Sequence, residues 1–150
     1  FTCSSPMKQL FLFMCAGLLW SACTPNFSSS IPDIQLQELG PEHIVALEDS
    51  IYMRISFFDS DGDLGENLTS ENNLFVVDER LELAHEFRIS NMVPGGAEVP
   101  IQGELEWTIP SVFLTNSNGE SELVTYRIYV VDRAGNKSNT ITTAPITILP

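Results

Sequence analysis

From Ile31 to the C-terminus, apolar residues recur at every second position in short runs separated by turn-forming residues. A period of two marks half-buried β-strands, because successive side chains point to opposite faces. The clearest run is IYMRISF, where Ile51, Met53, Ile55 and Phe57 share one face and Arg54 and Ser56 the other. In Gln102 to Ile109, Leu105, Trp107 and Ile109 alternate with Glu104, Glu106 and Thr108. In Glu122 to Val131 the inward set is Val124, Tyr126, Ile128 and Val130. Shorter strands are expected at Ile34-Gln35-Leu36, at Leu74 to Val77, and at Glu86 to Met92 with Phe87 and Ile89 on one side. The last strand runs from Thr140 to Leu149, and Pro145, which has no N–H, predicts a bulge or an edge there. Glu79 to Glu86 (ERLELAHE) has helix-forming composition and allows one turn of helix.

Seven short strands with turns such as VPGGAEVP and TNSNGES between them predict an all-β fold. The expected architecture is a seven-stranded immunoglobulin-like β-sandwich over residues 31–150. The stretch YRIYVVDRAGNKSN, Tyr126 to Asn139, resembles the end of bacterial immunoglobulin-like and cadherin-like domains. In those domains a Tyr-x-hydrophobic-x-Val strand runs into an Asp-x-Ala-Gly-Asn hairpin followed by serine. A resemblance of this length implies a fold more than a function. The cysteine pair and strand-C tryptophan of antibody domains have no counterpart, since Trp107 falls in a later strand.

The N-terminal segment is organised differently. Met7-Lys8-Gln9 precedes an 11-residue apolar run, LFLFMCAGLLW, and then Ser21-Ala22-Cys23. A basic start, a short apolar core and small residues before a cut site predict a signal peptide. The run is shorter than the roughly 20 residues of a membrane-spanning helix. The cut site resembles a bacterial lipobox in which Cys23 is lipidated, with Trp20 at the usual aliphatic position and Leu19 one further back. The alternative is ordinary secretion, with Cys23 an unpaired thiol. Residues 1–22 are thus expected to be an upstream extension and signal peptide, and residues 23–30 a lipid-anchored tether. Together these features resemble small immunoglobulin-like lipoproteins of the Bacteroidota type, which implies the bacterial cell envelope, with the outer membrane as the anchoring surface.

Composition narrows the function. Cys3 and Cys15 precede the expected cut, so no disulfide forms within the remaining chain. Without Lys8, six basic residues face 20 acidic ones, a net charge of −14. That balance argues against nucleic acid or an anionic membrane surface as a direct partner; it is compatible with a divalent cation, though a solvated acidic surface is the commoner cause.

One motif carries candidate chemistry. In FFDSDGDLGEN, Asp59, Asp61 and Asp63 stand at alternate positions around Gly62. Asp59 continues the inward set of Ile51 to Phe57, and Asp132 continues that of Tyr126 to Val130. In a seven-stranded sandwich the loops after these two strands share one end, so the two carboxylates are expected to converge from opposite sheets. Converging carboxylates repel unless a proton or a cation lies between them. Calcium accepts six to eight hard oxygens in irregular geometry, which suits Asp59, Asp61, Asp63 and Asp132, with Asn136 and loop carbonyls completing the shell. The motif is not an EF-hand, because the sixth and twelfth positions from Asp59 are Leu64 and Ser70. The plainer reading is an acidic turn that caps its own backbone.

Other chemistry is sparse. His43 and His85 have no metal-ligand spacing and read as solvated loop residues. No cysteine or paired serine and histidine suggests a nucleophilic enzyme, and no pair of acids stands out for glycoside hydrolysis. Trp107 reads as core, while Tyr52 and Tyr129 have outward parity. The expected function is therefore non-enzymatic: an envelope binding, adhesion or accessory module with a structural calcium, and a protein or glycan partner. The alternative is a carbohydrate-binding accessory module of an outer-membrane uptake assembly, which would need an exposed aromatic platform.

Overall fold

A computed structural model describes residues 29–65, 71–93, 97–116 and 118–150. Cys23, the expected signal peptide and most of the expected tether lie outside the described residues. The described chain is all-β and contains no helix. Ten strands follow in order: β1 (Asp33–Gly40), β2 (His43–Val45), β3 (Ile51–Asp59), β4 (Leu74–Asp78), β5 (Leu83–Phe87), β6 (Ile101–Ile109), β7 (Glu122–Val124), β8 (Tyr126–Val130), β9 (Ile141–Thr142) and β10 (Ile146–Leu149).

They form three sheets. One has the order β1-β3-β6, a second β5-β4-β8-β9, and a third β2-β10-β7. All pairings are antiparallel except β2 with β10. Period-two patterning decides which faces are buried. Ile51, Met53, Ile55 and Phe57 on β3 are buried, as are Tyr126, Ile128 and Val130 on β8. These residues join Ile44, Val124, Ile146 and Ile148 of the third sheet in one hydrophobic cluster. Trp107 lies in that core, with its ring centroid 6.1 Å from that of Phe87.

The count of seven strands is corrected to ten, for three physical reasons. The expected strand Glu122 to Val131 divides at Thr125, and Thr140 to Leu149 divides between Thr142 and Ile146. Both breaks are one event, in which neighbouring stretches leave the β8–β9 ladder and join the β7–β10 ladder. Thr143 bridges the crossing: its N–H donates to the Tyr126 carbonyl at 2.9 Å, and its Oγ1 accepts from the Tyr126 N–H at 3.0 Å. The third addition is β2, whose three residues pair in parallel with the distant β10 and leave no local signal.

Glu86 to Met92 is corrected as well. The strand runs over Leu83–Phe87, and the segment expected to turn helically is a turn at 79–82 leading into it. Beyond Phe87 the side chain of Asn73 takes both backbone groups of Ile89, with Oδ1 accepting at 2.6 Å and Nδ2 donating at 3.2 Å. Pairing with β4 therefore stops there. His43 and His85 stand on β2 and β5 rather than in loops.

Candidate metal centre

Strict alternation along β3 runs past its last apolar residue and puts Asp59 at a core position, fully buried. A carboxylate there costs several kcal/mol unless it is paired or keeps its proton. Its Oδ2 accepts the Leu64 N–H at 2.7 Å, which folds the chain back in a tight loop. Leu64 is itself buried in the core and pulls the loop inward. Two glycines make this path possible. Gly62 has φ +73° and Gly65 φ +99°, conformations that cost other residues roughly 1–2 kcal/mol. Added Cβ atoms would also collide with the Val99 carbonyl at Gly62 and the Ser90 carbonyl at Gly65.

The loop gathers three carboxylates. Asp59, Asp61 and Asp63 each offer an oxygen, and these lie within 4.8 Å of one another. In all three, Oδ1 is buried and has no hydrogen-bond partner. Asp63 uses its other oxygen, Oδ2, to accept the Ala134 N–H at 3.1 Å. Asp59 and Asp63 are thus each fixed by one oxygen, Oδ2, and keep a buried Oδ1 without a partner.

Their electrostatics follow from this crowding. Burial, then the charges of Asp132, Asp61 and Asp59, push the Asp63 carboxyl up to about 6. Burial is also the main cause that raises Asp59, helped by its contact with Asp61 and opposed by the Leu64 and Asp61 N–H groups. Among the described residues no ion pair joins Asp59, Asp61, Asp63 or Asp132 to a lysine or arginine. The nearby cations are turned elsewhere. Arg133 donates from Nη1 to the Gly65 carbonyl at 2.9 Å, and Lys137 Nζ sits 3.7 Å from the Tyr129 ring centroid.

The two expected loops do meet. Besides the Ala134 contact, the Arg133 N–H donates to the Asp63 carbonyl at 3.2 Å. Asp132 is buried, and both its oxygens are taken by Asn136, the backbone N–H at 2.7 Å and Nδ2 at 2.9 Å. Asp59, Asp61 and Asp63 therefore converge as donors. Asp132 acts on Asp63 through its charge, and Asn136 directs its amide N–H at Asp132. The link between sheets runs through Asp63 rather than Asp59.

Strand parity says nothing about Asp63, because it lies in the loop. A further contact was outside the reach of the sequence pattern: the segment entering β1 docks on this site. Ser60 Oγ donates to the Ser29 carbonyl at 2.5 Å, and Asn136 Nδ2 donates to that of Ser30 at 3.3 Å. Comparison with protein-family models, with curated proteins and with solved structures finds no match to the chain.

Proposed function

We propose that this is a non-enzymatic, lipid-anchored envelope module of immunoglobulin-like architecture, whose cation-binding loop takes a structural calcium ion. The observation that carries the cation is a cluster of three carboxylates that offer oxygens within 4.8 Å of one another, each of which also keeps a buried Oδ1 without a hydrogen-bond partner. A turn that merely capped itself would spend those oxygens on its own N–H groups. Asp59, Asp61 and Asp63 would supply charge, and loop carbonyls the remaining oxygens. Asp132, held by Asn136, would add to the negative field. Calcium is the better candidate than magnesium, because it accepts irregular oxygen geometry where magnesium demands a near-ideal octahedron.

The ion's role would be to hold β3 and β8 together at one end of a fold without disulfides. The sandwich reading is supported by antiparallel sheets that enclose a single core and by the Asp132–Asn136 hairpin. Anchoring through Cys23 rests on the N-terminal signal, and it places the domain in the bacterial envelope, where binding or adhesion is its work. The carbohydrate-binding alternative is less well supported, since Tyr129 is stacked on Phe75 at 5.0 Å and covered by Lys137.

The test is thermal melting of the purified protein with calcium and with chelator. Calcium is expected to raise the melting temperature, and to go on raising it with the logarithm of its concentration once the site is saturated. Equal melting temperatures would remove the case for a metal.

A further inference from the structure

The pole opposite the carboxylate cluster has a character of its own. Asp59 pairs with Ile101 at one end of the β3–β6 ladder, and Ile51 pairs with Ile109 at the other. Likewise Leu74 meets Val130 near the cluster, while Asp78 meets Tyr126 at the far end. The far pole is built from the turn after β2, the β4–β5 turn and the segment after β6.

Three observations coincide there. First, four large apolar side chains are exposed: Leu47 (67%), Leu81 (41%), Leu83 (51%) and Phe113 (45%). They are neighbours, because Leu81, Leu83 and Phe113 line one recess with Val112, whose carbonyl accepts the Leu47 N–H at 2.8 Å. Second, Leu47, Glu82 and Ser111 have φ of 65°, 52° and 55°, and among the described residues no other non-glycine residue has a positive φ. Such conformations persist where the surrounding structure enforces them, and they gather at binding sites.

Third, a partly buried ionic network ties these loops together. Arg80 binds Asp78 at 2.6 Å and Glu122 at 2.9 Å, and donates to the Phe113 carbonyl at 3.1 Å. Glu122 in turn holds the Thr115 N–H at 2.7 Å. A rigid surface loses little entropy when it binds.

We infer that this pole is the domain's docking face, and that its partner is a protein segment presenting an apolar side chain flanked by lysine or arginine. The size of the recess selects the occupant. At about 30 Å³ it takes the tip of one side chain, far below the roughly 300 Å³ or more of a small-molecule pocket. The buried Tyr126 hydroxyl lines the same recess without a partner.

Charge selects the flanks. Glu48 and Asp49 follow Leu47, while Glu79 and Glu82 bracket Leu81 and share the single Arg127. An apolar centre with an acidic rim complements an apolar centre with a basic rim. The chain enters at the opposite pole, where Ser29 meets Ser60, so this face is presented away from the entry point. The inference does not depend on the cation.

Amide NMR spectra of the ¹⁵N-labelled protein, titrated with synthetic peptides, test it. A peptide of alternating leucine and lysine is expected to shift the amides of Leu47, Leu81, Leu83, Val112 and Phe113. A leucine–glutamate peptide and a serine–lysine peptide are expected to leave them in place. The double variant Leu83→Ser/Phe113→Ser should bind the first peptide about tenfold more weakly or worse. If that variant loses its dispersed spectrum, Leu47→Ser carries the same comparison. Absence of shifts, shifts spread over the acidic surface, or equal shifts with the serine–lysine peptide would each overturn the inference.

Discussion

Replacing Asp61 with asparagine separates the two ways in which the carboxylate cluster is relieved. Asp61 is half-buried, its Oδ1 has no partner, and its charge raises both Asp59 and Asp63. In chelator, Asp61→Asn removes a like charge and is expected to raise the melting temperature by about 2–5 °C. In calcium the same variant loses a ligand and should melt no higher than it does in chelator. A drop in both conditions would make Asp61 an ordinary turn-forming residue. Protons act on the same cluster. The folded Asp63 carboxyl lies at about 6, above its ordinary value of 3.8, so the fold favours its protonated form. That contribution is fully present below the ordinary carboxylate range and is lost as pH rises through about 6. The metal-free protein should therefore melt higher at pH 5 than at pH 7.5, while the shift caused by calcium should shrink over the same acidification. Melting scans at the two pH values, with and without calcium, check both signs. Asp59 is legible from strand parity alone, since it occupies the next inward position after Phe57. The placing of Asp63 is not, because it depends on backbone contacts with Arg133 and Ala134, about 70 residues away in sequence.

At the scale of elements, two devices set where strands stop, and both are hidden from periodicity. One is the asparagine clamp. Asn73 takes both backbone groups of Ile89, and Asn139 takes those of Ile34 at 2.8 Å each, so a side chain replaces a ladder partner. The other is the sheet change at Thr143. Thr143→Val keeps the shape but leaves the buried Tyr126 N–H without its acceptor, at a cost of about 1–3 kcal/mol. Chemical denaturation should show that loss at an unchanged m-value; full stability would mean that Thr143 does not hold the crossing. The loop after β3 depends on its glycines instead. Gly62→Ala combines a positive φ with a collision at the Val99 carbonyl, and is expected to cost about 2 kcal/mol or more. Alternation exposed the faces of β3, β6 and β8 because each buries one side only. It missed β2, whose single buried residue, Ile44, makes no periodic pattern, and it placed β5 too late because apolar Ile89 continues the alternation after pairing has ended.

Across the whole molecule the two poles differ in chemistry, one carboxylate-rich and one apolar. The chain enters at the carboxylate pole, where Ser60 and Asn136 hold the carbonyls of Ser29 and Ser30, and the apolar pole faces the other way. A cation that orders the loop containing Ser60 should also order this entry segment. Hydrogen exchange at Ser60 and in the stretch 29–34 is therefore expected to slow when calcium is added. Slowing at Ser60 alone would show that the entry segment is not coupled to the site. Whether the three carboxylates with unpartnered oxygens form a cation site is decided by calorimetric titration of calcium into the metal-free protein. One calcium should bind per chain in the wild type and none in Asp59→Asn, which keeps an acceptor for the Leu64 N–H. Absence of binding heat in the wild type at several temperatures, or the same binding in Asp59→Asn, would contradict it.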